Sequence, residues 1–191
     1  MVVPSLSPSL SRDDLRTAAR AVRKAHVAGL DPTQKVAQER ALHRALSPMI
    51  AEARIIGAYV PVGSEIDPLG ASYDPERTAF PAFFPSDERF RFLLGAPIGV
   101  GPHGIPQPAL TAPSVTPGLV LVPLIAIDPL GNRLGQGGGH YDRVLSPLRD
   151  MGVRLIGVGW DVQKLDFNMP VEPWDVPLDG FASPSGMEMF R

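Results

Sequence analysis

Four glycines in five positions, Gly135, Gly137, Gly138 and Gly139, lie in the stretch Arg133-Leu-Gly-Gln-Gly-Gly-Gly-His-Tyr-Asp-Arg143. Glycine accepts φ > 0 and lets backbone N–H groups approach a ligand closely. The run sits between an apolar strand pattern, Leu119 to Val122, and a helical pattern starting near Tyr141. A glycine-rich turn that opens onto a helix N-terminus can hold an anion, because the free N–H groups and the helix dipole both favour negative charge. Arg133, Arg143 and Asp142 flank the turn, so phosphate, alone or with a metal, is the first ligand to consider. The spacing is not Gly-x4-Gly-Lys-Ser/Thr, since no lysine follows. It is not Gly-x-Gly-x-x-Gly either, since His140 occupies the place of the last glycine. A plain flexible turn is the competing reading, but such a turn rarely needs this density of glycine.

Other residues carry weaker signals. Arg12, Arg16 and Arg20 recur at i, i+4 and i+8, hence on one helix face. Spacing alone reads as a solvated basic stripe. Glu65 follows a strand pattern and by itself is a surface or capping acid. Asp142 sits at a helix start, where the dipole already favours an acid. His26, His43, His103 and His140 show no metal-ligand spacing, so a zinc site is not expected. There is no cysteine, which excludes disulfides, thiolate metal sites and a cysteine nucleophile.

These groups need elements to hold them. The 191 residues suffice for a single domain with a sizeable core, spanning 1–191 with residues 1–10 as a flexible tail. The apolar share of 44% and charged share of 20% are those of an ordinary globular protein. Lys+Arg at 18 against Asp+Glu at 20 leaves a net charge of −2, so nothing draws the whole molecule to nucleic acid or an anionic membrane. Met1 to Ser11 lack a basic start and a long apolar run, and no stretch approaches ~18 apolar residues. A cytoplasmic protein is therefore expected.

Ser11 with Asp14 caps a first helix ending near Gly29, and Asp31-Pro32 opens a second running to about Ala45. Arg54 to Val60, Thr78 to Phe84, Arg89 to Leu94, Leu119 to Val122 and Arg154 to Trp160 read as strands. Glu65 to Pro68 begins a third, short helix, and Tyr141 to Met151 is another. The 22 prolines crowd the stretch Gly95 to Gly118, which reads as a long irregular connection. Helices alternating with apolar strands predict an α/β, three-layer α/β/α fold with a mostly parallel sheet. Ligands of such sheets bind beyond the carboxyl ends of the strands, where both Glu65 and the glycine run fall.

Leu121-Val-Pro-Leu-Ile-Ala-Ile-Asp128, followed by Gly131-x-Arg133-Leu-Gly-x-Gly-x-Gly-x-Tyr-Asp142, resembles the hallmark of the 5-formyltetrahydrofolate cyclo-ligases, also called 5,10-methenyltetrahydrofolate synthetases. Weaker matches are Leu15-Arg16, Tyr59-x-Pro-x-x-x-Glu65-Ile66, Gly104-Ile-x-x-Pro108 and the stretch Gln163 to Asp179. The resemblance implies a fold similar to the sugar-phosphate isomerase and CoA-transferase-like proteins. It implies ATP-dependent conversion of 5-formyltetrahydrofolate to 5,10-methenyltetrahydrofolate by a monomeric ligase. ATP is then the co-substrate, reduced folate the substrate and Mg²⁺ the metal. It assigns ATP binding to Arg12, Arg16, Arg133, Gly135, Gln136, Gly137, Gly138, Gly139, His140 and Tyr141. Folate contacts fall to Val60, Glu65, Gln136, Gly137, Gly138, Gly139 and His140. Asp142 and Asp175 become the Mg²⁺ ligands, and Arg133 and Tyr141 the catalytic pair.

The chain departs from that pattern in several places. Gln136 stands where many relatives carry a second arginine, and His140 where many carry a tyrosine. Gln107 replaces a glutamate and Leu124 a glycine, and Trp174 and Pro184 are also uncommon. A binding protein with weak turnover and a sugar-phosphate isomerase-like enzyme are the alternatives. If the charge at 136 is missing, Gln136→Arg should tighten nucleotide binding by up to about tenfold. If another arginine, such as Arg12 or Arg143, already fills that space, measured nucleotide affinity should not improve.

Overall fold

The computed structural model describes residues 5–70, 73–85, 87 and 89–190. Helix α1 spans Arg12–Ala28, and its N-cap Ser11 accepts a hydrogen bond from the Asp14 N–H at 3.2 Å. Helix α2 spans Pro32–Glu52 behind a capping box formed by Asp31 and Gln34. The strands follow: β1 Ile56–Gly57, β2 Thr78–Ala82, β3 Arg91–Leu94, β4 Gly99–Val100, β5 Pro106–Gln107, β6 Leu119–Pro123, β7 Ala126–Ile127 and β8 Arg133–Leu134. Helix α3, His140–Asp150, leads to β9 Arg154–Val158 and the closing strands β10 Gly180–Ser183 and β11 Gly186–Met189.

Seven strands form one sheet in the order β11-β10-β9-β6-β1-β2-β3. Its inner pairs are parallel, and β3 and β11 flank it as antiparallel edges. β4–β5 and β7–β8 are separate antiparallel pairs. The alternation of side chains along β6 builds two layers. Leu119 and Leu121 pack with Leu42 and Leu46 of α2. Val120 and Val122 pack on the other face with Leu145 and Leu148 of α3. Helix α1 lies instead over β7–β8, where Leu15 and Ala19 pack with Ile125, Ala126 and Leu134. The three-layer α/β/α architecture is the one expected.

Several local readings need correction. Glu65 to Pro68 is not a helix. The Asp67 carboxylate accepts from the N–H groups of Leu69 at 3.0 Å and Gly70 at 2.9 Å, closing a turn that competes with helical bonding. Helix α2 continues past Pro48 to Glu52. Met49 and Ile50 pack against the core beyond the proline, and that burial outweighs the one backbone bond proline cannot make. The strand expected over Arg54 to Val60 narrows to β1. The Gly95 to Gly118 connection holds the β4–β5 pair, and the β10–β11 hairpin was not foreseen. Of the ten residues expected as a flexible tail, the first four lie outside the described residues. Leu6 and Leu10 pack against the Leu15 cluster. Among the described residues no helix is long and apolar enough to cross a membrane.

Leu145 is fully buried and fixes the helix that follows the glycine run. Leu145→Ala should lower the unfolding free energy by about 2–5 kcal/mol in urea titrations, the range for truncating a buried leucine.

Candidate functional site

β1 and β6 are adjacent and parallel, so the loops leaving their carboxyl ends face one crevice. The loop after β6 passes through the β7–β8 pair and reaches the glycine run. Gly137 has φ 102° and Gly139 φ 63°, conformations that side chains rarely adopt. At Gly138 a Cβ would lie 2.8 Å from the exposed His140 ring, which would have to shift. Gly139 caps α3 without a side-chain hydrogen bond. Among the described residues, the N–H groups of Gly137 through Asp142 have no recorded acceptor. Open donors at the positive end of α3 suit an anion.

Two of the loop's carbonyl groups, those of Gly135 and Gln136, are held by α1. Arg16 Nε donates to the Gly135 carbonyl at 2.9 Å, while the Arg16 guanidinium also pairs with Asp13. Arg20 Nη2 donates to the Gln136 carbonyl at 2.9 Å, and Arg20 Nε and Nη2 reach Gln136 Oε1 at 3.1 and 2.8 Å. Two members of the basic stripe on α1, Arg16 and Arg20, are therefore loop contacts and not only a solvated face. The guanidinium that lies against Gln136 is that of Arg20, whereas Arg12 is engaged by Asp175.

Across the crevice, Gln136 Nε2 donates to Glu65 Oε1 at 3.2 Å. Glu65 Oε2 accepts from the Val62 N–H at 3.0 Å, and the carboxylate lies 3.7 Å from Arg23 Nη1. Arg23 also donates to Ser64 Oγ at 3.1 Å and to the Leu124 carbonyl at 3.3 Å. Both members of the Arg23–Glu65 pair are nearly enclosed, with side chains 7% and 10% exposed. Burial pulls the Arg23 guanidinium below its ordinary value, and Glu65 opposes that shift. Burial, then the Glu65 charge, pushes the Tyr59 and Tyr141 phenols well above their ordinary value. Tyr141 is thus a neutral ring beside a carboxylate, packed on Phe90 at 5.0 Å. Val60 lines a cleft of about 120 Å³ with Tyr59, Asp67, Tyr73 and Phe80.

Arg133 is buried on β8, where its Nη1 donates to the Val176 carbonyl at 2.8 Å and its Nη2 pairs with Asp142. Arg12 grips both oxygens of Asp175 and donates to the Pro170 carbonyl at 2.9 Å. The two aspartates expected together on Mg²⁺ therefore sit in separate ion pairs. Asp142 keeps Oδ2 without a recorded donor, whereas both oxygens of Asp175 are taken. Among the described residues no three His, Cys, Asp or Glu groups gather as a metal cluster. One open carboxylate oxygen suits an ion held mainly by phosphates, as Mg²⁺ commonly is. His140 is exposed and packs edge-on against Phe83 at 5.3 Å.

Sequence reasoning missed Arg23, although it follows Arg16 by seven and Arg20 by three on the same helix face. The unusual residues have local explanations in part. Gln107 Oε1 accepts from the Phe83 N–H at 3.0 Å. Leu124 covers Gly157, where a Cβ would meet Leu124 at 2.7 Å. Trp174 is 66% exposed, and nothing in the structure explains it.

The fold and crevice define an α/β protein that presents a glycine-rich loop at the carboxyl ends of a parallel sheet. Residues 6–184 match the model of the 5-formyltetrahydrofolate cyclo-ligase family. The chain is 30% identical to the 5-formyltetrahydrofolate cyclo-ligase of Mycolicibacterium smegmatis, with 91% of this chain and 94% of that one aligned. It is 38% identical to the 5-formyltetrahydrofolate cyclo-ligase of Haemophilus influenzae over 92 residues, 46% of this chain and about half, 49%, of that relative. The fold is shared with the Aquifex aeolicus 5,10-methenyltetrahydrofolate synthetase at a TM-score of 0.75. Identity there is 23%, covering 95% of this chain and 94% of that one. The chain belongs to the 5-formyltetrahydrofolate cyclo-ligase family.

Two outcomes follow from the geometry. Glu65→Ala leaves the enclosed Arg23 unpaired and should cost about 3–5 kcal/mol of stability in denaturant titrations, with the paired change Arg23→Met/Glu65→Ala recovering most of it. The tyrosine shifts predict alkaline behaviour. A phenol raised in the folded state binds its proton more tightly there than in the unfolded chain. Stability should therefore fall as pH rises past about 10, where unfolded tyrosines ionise. Phenolate absorbance from Tyr59 and Tyr141 should appear only with unfolding.

Proposed function

We propose that this protein converts 5-formyltetrahydrofolate and ATP to 5,10-methenyltetrahydrofolate, ADP and phosphate, in the cytoplasm and as a monomer. The observation that supports the reading is the row of N–H groups from Gly137 to Asp142, unpartnered among the described residues, next to Gln136, which bonds Glu65. A phosphate chain fits the N–H row, and the folate fits the Glu65 carboxylate and the Tyr141 ring.

In this reading the formyl oxygen attacks the γ-phosphorus of ATP and ADP leaves. The resulting imino-phosphate carbon is attacked by the folate N10 amine, phosphate departs with the C–O bond electrons, and N10 loses its proton to solvent. No step needs a protein nucleophile, in keeping with a chain that has no cysteine. What the protein supplies is position and charge. The loop N–H groups of Gly137, Gly138, Gly139, His140 and Tyr141 receive phosphate oxygens, with Gly135 and Gln136 shaping the loop before them. Arg16 and Arg133 add positive charge from the flanks. Glu65 accepts hydrogen bonds from the amino-pyrimidinone edge of the folate, and Gln136, Val60 and Tyr141 border it.

Asp142, whose Oδ2 accepts no hydrogen bond among the described residues, and Asp175 would hold Mg²⁺, which would neutralise phosphate charge when bound. In the protein alone both carboxylates are partnered by arginine, Asp142 by Arg133 and Asp175 by Arg12.

The test is to follow methenyl-folate absorbance with purified protein, with and without ATP and Mg²⁺. Product that depends on both is expected. Folate binding without product would instead support a binding protein, and binding of neither substrate would sink the folate readings. Asp142→Asn should shift the Mg²⁺ dependence of turnover to higher concentration while folate affinity holds. An unchanged Mg²⁺ dependence would leave Asp142 as the partner of Arg133 alone.

A further inference from the structure

Gln136 is an uncharged amide in the middle of the loop, yet it is polarised from both ends. Its Oε1 accepts two hydrogen bonds from Arg20, at 3.1 and 2.8 Å, and its Nε2 donates to Glu65 at 3.2 Å. The Gln136 carbonyl takes a third bond from Arg20, at 2.9 Å, and the preceding carbonyl of Gly135 takes one from Arg16, at 2.9 Å. Two successive carbonyl groups are thus drawn toward α1. In a planar trans peptide the N–H points opposite to the C=O. Holding those oxygens against α1 therefore turns the N–H groups of Gln136 and Gly137 away from α1, the direction in which an anion would be received. Arg20 keeps Nη1 outside these bonds, so its guanidinium is not saturated by the loop.

We propose that Arg20 is a positioning residue for the nucleotide phosphates: docked on Gln136, it holds the glycine loop with its donors outward and supplies the loop's positive charge from α1. The inference rests on the nucleotide reading given above and adds a residue to it. It also reverses the effect expected of Gln136→Arg from the sequence. A guanidinium at 136 would stand against the Arg20 guanidinium, which the present amide oxygen attracts. The amide is the complement of Arg20, and an arginine at 136 would be its competitor.

Calorimetric titration of Mg·ATP and of inorganic tripolyphosphate into four proteins tests this: the wild type, Arg20→Gln, Gln136→Arg and the double variant carrying both changes. Arg20→Gln should weaken both ligands about tenfold, ~1.4 kcal/mol, and 5-formyltetrahydrofolate by less than about threefold. Its triphosphate affinity should also depend less steeply on ionic strength than that of the wild type, a change that a purely structural role would not produce. Gln136→Arg should bind triphosphate no more tightly than the wild type. The double variant moves the arginine across the same contact and should return to within about threefold of the wild type. If Arg20→Gln fails to fold, Gln136→Arg and the double variant still decide. Tighter binding by Gln136→Arg, or a double variant no better than its weaker parent, overturns the proposal. So does an unchanged affinity and salt dependence in folded Arg20→Gln. A wild type that binds neither triphosphate ligand overturns the nucleotide reading together with this inference, whereas a wild type that binds both isolates a failure to Arg20.

Discussion

A loop that keeps its N–H groups open to a ligand cannot use them to hold itself in place, and this constraint shapes the structure around residues 135 to 142. The loop must be fastened by its carbonyls and by its flanks. Arginines do both. Arg16 and Arg20 take the carbonyls of Gly135 and Gln136, and Arg133 ties the start of α3 to the Val176 carbonyl through Asp142. A guanidinium suits this work because its donors form a rigid fork and its charge persists when partly buried. Arg20 shows the fork in use, with one side chain reaching both the carbonyl and the side-chain oxygen of Gln136.

The fold brings α1 against that loop. The first turns of α1 lie off the main sheet, while Val27 near its end joins the α2 layer. The helix packs Leu15 and Ala19 on the β7–β8 pair, beside the strand ends, and this turns its basic face toward the crevice. Asp128 anchors the same region. It is fully buried, and its carboxylate accepts from Leu130, Asn132 and Met169, joining the β7–β8 turn to the segment that carries Asp175. Buried polar groups satisfied in this way fix one arrangement of the chain. The crevice is therefore set by hydrogen bonds between segments far apart in sequence, laid over an ordinary apolar core.

That division explains what the sequence made legible. The apolar runs Leu119 to Val122 and Arg154 to Trp160 read directly as central strands, observed as Leu119–Pro123 and Arg154–Val158, because two-sided burial removes polar residues from them. Ser11 and Asp31 announced their helices through capping chemistry that is local in sequence. The glycine run announced a loop of special backbone geometry, and Gly137 and Gly139 do have positive φ. The partners of the charged residues were not legible. Nothing in the spacing of Arg20 and Gln136, or of Arg23 and Glu65, shows that they meet, since the contacts depend on how α1 lies across the strand ends. The same reason hid Pro48 inside α2, where contacts from the sheet outweigh a local breaker.

The central claim is that the loop's backbone N–H groups receive phosphate. Amide chemical shifts in ¹⁵N-labelled protein report on those groups one by one as Mg·ATP is added. The account predicts saturable shifts of the Gly137, Gly138, Gly139 and His140 amides at one common affinity, with the core amides of β6 and β9 unmoved. Saturable nucleotide binding that leaves those four amides in place while moving others would contradict it.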